Sequence, residues 1–371
     1  MPSLRATLAG IELECAIFNA SGPRTGAAEA LAKISASAAG AVLAKSATVD
    51  SQTGNDQPRT WQSEAASLNS EGLPNKGIGY YLDAETVAAA KGATGKPYLV
   101  SLSGKCLADN LEMLRRIDGV AGVAAIELNL ACPNVIGHPI IAYDFVQMEE
   151  VLDAVEDLGL ELPLGIKMPP YFDFQHFEKA AALLNTYDCV NYVATINTLG
   201  NALAIDVDAE QPLIRPKGGF GGMSGPAVKH TALANVKKLR ELLRDDIDVV
   251  GVGGVQSGSD AFEMFLCGAT AVQVGTCHWI EGPSCFDRIA RELCELMTEK
   301  GYSTLDDFRG ALKPWSKERA SASRAKRRAA KKAAEAASAG GGAQRMYLAI
   351  IAVLVVVIAA LLAKDQGLLL M

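Results

Sequence analysis

The stretch IELNLACPN (126–134) sets a thiol, Cys132, just past a strand-like run, between Asn129 and Asn134. Proline after the cysteine keeps that strand from running on. A thiolate is a competent base or nucleophile near neutral pH once local dipoles lower its pKa, whereas an isolated buried cysteine is a small hydrophobe. Two lysines, Lys45 and Lys167, also close apolar runs. Buried cations need anionic partners, so one could face a substrate carboxylate and the other the electron-rich edge of a cofactor. Two glycine-rich strand ends, Gly253-Gly254 and Gly275-Thr276, allow the backbone to approach a phosphate closely. A phosphate-bearing cofactor is the economical inference, with tight βα turns as the alternative.

The elements that must position these groups are visible as eight apolar runs at 16–20, 41–45, 98–103, 125–129, 164–167, 192–197, 249–253 and 271–275. Near-continuous apolar runs mark strands covered on both faces, and Ala/Leu/Glu-rich helical segments lie between them. Eight such units predict a (β/α)8 TIM barrel, an α/β fold whose strand ends converge on one face. A doubly wound open sheet is the alternative, but no GxGxxG follows the first run. Two long connections, 48–79 and 200–225, read as lids or binding loops.

Composition narrows the class. The chain has 371 residues and a formal charge of −7. Residues 316–345 hold nine Lys/Arg against two Glu, leaving −14 on the rest. An acidic body argues against a nucleic-acid-binding face. Eight cysteines show no CxxC and four histidines show no HxH or HxxxH spacing, which argues against metal sites and disulfide scaffolds. The N-terminus has no long apolar segment of a secretory signal.

After Trp315 the pattern changes. Residues 316–345 form a basic, Ala- and Gly-rich linker, expected to be part helical. Residues 346–363 (MYLAIIAVLVVVIAALLA) carry no charge, and as a helix would span about 27 Å, close to the ~30 Å hydrocarbon core. A single transmembrane helix is expected there, followed by a short tail at 364–371. The basic cluster before it places the barrel (1–315) in the cytosol, giving a tail-anchored protein.

The motifs NASG (19–22), AKS (44–46), SLNSEGLPN (67–75), ELNLACPN (127–134), GIKMPPYFD (165–173), TINTLGN (195–201), KGGFGGMSG (217–225), GVGG (251–254) and CGATAVQVGT (267–276) occur in this order. Together they resemble dihydroorotate dehydrogenase of class 1A, the FMN-dependent, fumarate-linked type, over 1–315. The resemblance implies FMN across the barrel mouth. Ala20, Ser21, Lys45, Ser46, Asn129, Lys167 and Ile196 would meet its ring, and Gly225, Gly253, Gly254, Gly275 and Thr276 its ribityl and phosphate. Lys45, Asn69, Gly72, Leu73, Asn129, Asn134, Asn197 and Thr198 would hold the substrate. Cys132 would remove the C5 proton of dihydroorotate while hydride leaves C6 for flavin N5, giving orotate for pyrimidine synthesis and succinate from fumarate. A homodimer is implied likewise.

One residue departs from the pattern. Glu71 stands where an apolar Met is expected beside the substrate. A carboxylate there opposes an anionic substrate unless it faces solvent, so it is expected to point outward. Competing readings keep the same half-reaction with membrane quinone, or with NAD through a partner subunit, as acceptor. A relative acting on dihydrouracil and an inactive membrane-tethered barrel are further alternatives. The quinone-linked type carries an N-terminal extension and a serine base, against Cys132 here.

Overall fold

The computed structural model describes residues 1–132, 140–325, 327–329, 331, 332 and 335. It divides into two compact units, Met1–Leu312 and Lys313–Met371.

Eight parallel strands form the first unit's central sheet: β1 Ile17–Asn19, β2 Val42–Leu43, β3 Tyr98–Leu102, β4 Val123–Asn129, β5 Leu164–Met168, β6 Val190–Thr195, β7 Asp248–Val252 and β8 Ala271–Val274. Their order is β1-β8-β7-β6-β5-β4-β3-β2, with every hydrogen-bonded neighbour parallel. The two ends of this sheet are sewn together by a side chain. Fully buried Asn19 on β1 accepts from the Leu43 N–H (3.0 Å) and donates to the Leu43 carbonyl (2.6 Å). Its amide thus takes the place of a peptide group in the ladder, and the Gly40 N–H to Ile17 carbonyl bond (2.9 Å) extends the seam. The sheet is therefore a closed, TIM-barrel-like α/β fold.

Among the described residues of this unit, the helices of eight residues or more that alternate with the strands are α1 Ala28–Ser35, α2 Ala84–Lys91, α3 Leu107–Ile117, α4 Phe145–Glu156, α5 Phe174–Leu184, α6 Lys229–Leu242, α7 Gly258–Leu266 and α8 Ser284–Lys300. Helix α3 shows why they pack. Asn110, Met113, Leu114 and Ile117 fall at helical spacing and are buried, while Glu112, Arg115 and Arg116 are not. Starts are set by side chains: Asp144 accepts from the N–H groups of Val146 and Gln147, Asp173 from His176, and Ser257 from Asp260. Inside the barrel, Tyr192 lies directly on Gly165, where a Cβ would come within 2.0 Å of its ring. The Tyr192 hydroxyl donates to the Ile126 carbonyl at 3.2 Å.

A hairpin, Ala6–Leu8 with Ile11–Leu13, lies at the N-terminal end of the strands. Its Ala9 N–H donates to Asp248 at the start of β7 (2.7 Å). The other end is covered by an antiparallel sheet that the sequence reading treated as two separate loops. Leu199–Leu203, Phe220–Ser224, Ser67–Asn69 and Thr60–Gln62 lie side by side in that order. Gly222 pairs with Asn69 and Ser224 with Ser67, so the two connections form one structure.

In the second unit, Ser316 caps a helix at 317–325 by accepting from the Arg319 N–H (3.3 Å). Among the described residues no helix is long and apolar enough to cross a membrane. The apolar run 346–363 and the tail after it lie outside the described residues.

Candidate active site

Each barrel strand delivers polar groups to its C-terminal end because residues alternate in and out along the strand. Glu127 and Asn129 share the inward face of β4, Lys167 points inward from β5, and Gln273 from β8. The inside of the barrel therefore holds a charged relay. Lys167 Nζ donates to Gln273 Oε1 (2.8 Å), and Gln273 Nε2 donates to Glu127 Oε2 (2.6 Å). Glu127 is 1 % exposed, Lys167 6 % and Gln273 0 %. Burial pushes the Lys167 pKa below its ordinary value, and the Glu127 charge pulls it back up.

A cavity of about 1180 Å³, counting its open mouth, lies over these strand ends. Around it stand Ala20, Ser21, Lys45, Ser46, Asn129, Cys132, Lys167, Ile196, Asn197 and Thr198, with the turns at Gly225, Gly253, Gly254, Gly275 and Thr276. Asn69, Gly72 and Leu73 reach it from the covering sheet and the arc that follows. Asn134, the remaining substrate candidate, lies outside the described residues, as does Pro133.

Hydrogen bonds fix several of these groups before any ligand arrives. The Ser46 N–H donates to Ser21 Oγ (2.7 Å), and the Ser46 hydroxyl shares hydrogen bonds with the hydroxyls of Ser21 (3.1 Å) and Ser101 (2.9 Å). Asn129 Oδ1 accepts from Asn197 Nδ2 (3.2 Å), and Asn129 Nδ2 donates to Ser46 Oγ (3.4 Å). Asn197 Oδ1 in turn accepts from the Thr198 N–H (2.8 Å). Two carboxamides thus stand side by side, suited to the amides of a small heterocycle. Lys45 is buried, which lowers its pKa; the charges of Glu71 and Cys132 raise it and Arg59 lowers it.

Glycine backbone shapes the far end of the cavity. Gly253 and Gly254 adopt φ of 124° and 74°, and a Cβ on Gly254 would strike the Lys229 backbone. Lys229 itself is committed to Asp260 (2.8 Å) and Glu263 (3.0 Å), so recognition at this end falls to backbone and hydroxyl groups. Thr198 Oγ1 is buried without a partner among the described residues. A polar atom left so costs about 1–3 kcal/mol unless a ligand satisfies it. Glycine turns and a deep cation fit a phosphate-bearing, planar cofactor, and the orphaned hydroxyl fits a polar substrate beside it.

Sequence reasoning missed several lining residues, among them Glu127, Pro23, Ser224, Val228, Val252, Val255 and Trp279. Glu127 carried a signal, being two residues before Asn129 and so on the same strand face. Glu71 is a correction. Its side chain is 14 % exposed, lines the cavity and pairs with Arg59, rather than pointing to solvent.

The chain matches the family model for dihydroorotate dehydrogenase over residues 3–297. It is 44 % identical to dihydroorotate dehydrogenase A (fumarate) of Lactococcus lactis over 310 residues, covering 84 % of this chain and 99 % of that protein. Identity to dihydroorotate dehydrogenase (fumarate) of Lachancea kluyveri is 45 % over 295 residues, or 80 % of this chain and 93 % of that one. Among solved structures, ligand-free DHODH of Eimeria tenella superposes with a TM-score of 0.71 at 18 % identity, over 85 % of this chain and 93 % of that chain. The likeness at that identity speaks for the fold. The chain belongs to the dihydroorotate dehydrogenase family.

Proposed function

We propose that the protein oxidises (S)-dihydroorotate to orotate in pyrimidine biosynthesis, with FMN as cofactor and fumarate as electron acceptor. The observation that carries this reading is the meeting of Lys45, the Asn129–Asn197 pair, Cys132 and the Lys167 relay around one cavity at the barrel mouth. The fumarate assignment rests on the relatives' names and on Cys132 in the base position.

In this reading Lys45 neutralises the substrate carboxylate, and the amides of Asn69, Asn129 and Asn197 hold its ring. Cys132 takes the proton from C5. The residues around the cavity would hold FMN, which would supply the acceptor for the hydride leaving C6. Lys167 would face the electron-rich edge of the cofactor, and its charge, supported by Glu127 through Gln273, would favour electron density there. The glycine turns at 225, 253–254 and 275 with Thr276 would hold the phosphate end. The covering sheet and the arc at Gly72-Leu73 exclude water from the reacting atoms.

The apolar run 346–363 supports a tail anchor that leaves the barrel in the cytosol; a homodimer is supported by the resemblance alone. Steady-state orotate formation with fumarate, compared with a short-chain quinone, tests the acceptor. Turnover with quinone alone would remove fumarate from the account and make the anchor part of the electron path.

A further inference from the structure

We propose that Glu71 is a specificity-determining residue that sets how strongly the site holds anions, discriminating between one-charge and two-charge ligands. The inference rests on the reading that this cavity takes dihydroorotate and fumarate in turn.

The loop around Glu71 is built to keep the carboxylate inside. The Glu71 carbonyl accepts from the Asn55 N–H (2.9 Å), and the Ser70 N–H donates to the Arg59 carbonyl (2.8 Å). Gly72 packs so closely on Asn55 that a Cβ would approach its side chain to 2.4 Å. Arg59 is anchored through Nη1 to the carbonyls of Thr53 (2.8 Å) and Asn55 (3.0 Å). That leaves Nε facing Glu71 Oε1 at 3.4 Å, an ion pair rather than a formed hydrogen bond. Both side chains are mostly buried, at 16 % and 14 % exposure. The carboxylate is also within electrostatic reach of Lys45, the cation assigned to the substrate.

Glu71 therefore acts as a resident anion that offsets Lys45 and Arg59 when the site is empty and opposes every anion that enters. Coulomb repulsion scales with the charge of the ligand. A carboxylate about 8 Å from an entering anion, with an effective dielectric of about 30, weakens a monoanion roughly tenfold and a dianion up to roughly a hundredfold. Dihydroorotate and orotate carry one carboxylate, fumarate two. The residue thus favours the pyrimidine over the dicarboxylate and limits fumarate's competition with dihydroorotate.

The test is calorimetric titration of the flavin-loaded full chain with orotate and, separately, with fumarate, in wild type, Glu71→Gln, Glu71→Met and Glu71→Asp. Both neutral variants are expected to bind orotate roughly tenfold tighter and to gain more for fumarate, while Glu71→Asp keeps the wild-type ratio. Equal gains for both ligands, no gain, or a shifted ratio in Glu71→Asp would overturn the proposal. Wild type that binds neither ligand would instead overturn the reading of the cavity on which it rests.

Discussion

Glu127→Gln isolates the charge relay inside the barrel. The substitution keeps an oxygen to accept from Gln273 Nε2 and changes almost no volume, so what it removes is charge. Two opposite unit charges with one amide between them attract by about 2 kcal/mol at an effective dielectric near 20. Both groups are buried, so solvent does not dilute that figure. Loss of the Glu127 charge, which raises the Lys167 pKa against burial, lowers the folded-state pKa of Lys167 further below its ordinary 10.5. A lysine whose pKa is lower folded than unfolded costs stability at low pH. The cost fades as pH rises from the folded pKa to 10.5. The variant should therefore melt about 4 °C lower than wild type near pH 7, with the gap closing toward pH 10. Differential scanning calorimetry of the full chain across pH 7–10 reads this directly. A gap that is absent, or constant with pH, would show that Glu127 does not support a charged Lys167.

Lys45→Met replaces a buried cation with an apolar chain of similar length. Losing a charge-assisted hydrogen bond of about 1.5–3 kcal/mol should raise KM for dihydroorotate roughly tenfold to a hundredfold, measured by steady-state kinetics. Gly165→Ala drives a methyl into the Tyr192 ring, where a Cβ would lie at 2.0 Å, and overpacking of this kind costs about 1–3 kcal/mol. Urea denaturation should show it as a lower midpoint with an unchanged slope.

The barrel was legible because its strands are covered on both faces. The predicted run 98–103 became Tyr98–Leu102, 164–167 became Leu164–Met168, and 271–275 became Ala271–Val274. The covering sheet was not legible for the opposite reason. Phe220–Ser224 reads FGGMS, and its partner Ser67–Asn69 lies far away in the chain, so neither alternation nor a turn signal reveals the pairing. Candidate residues such as Lys45, Asn129 and Lys167 stand at strand ends, a position the sequence shows, and they line the cavity. The direction of Glu71 is not shown that way: it is decided by Arg59, which Thr53 and Asn55 hold in place, and no periodicity of the loop encodes that contact. Gln273 was hidden inside CGATAVQVGT, where it reads as one polar break in an apolar strand, although it joins Lys167 to Glu127.

The central claim is that dihydroorotate is oxidised in this cavity with Cys132 as base, and anaerobic stopped-flow absorbance tests it most directly. In wild type, dihydroorotate should bleach the flavin spectrum, and fumarate added afterwards should restore it. Cys132→Ala should keep the colour and bleach about 10²–10⁴ times more slowly at neutral pH. No bleaching in wild type, or bleaching at an equal rate without Cys132, would contradict the account.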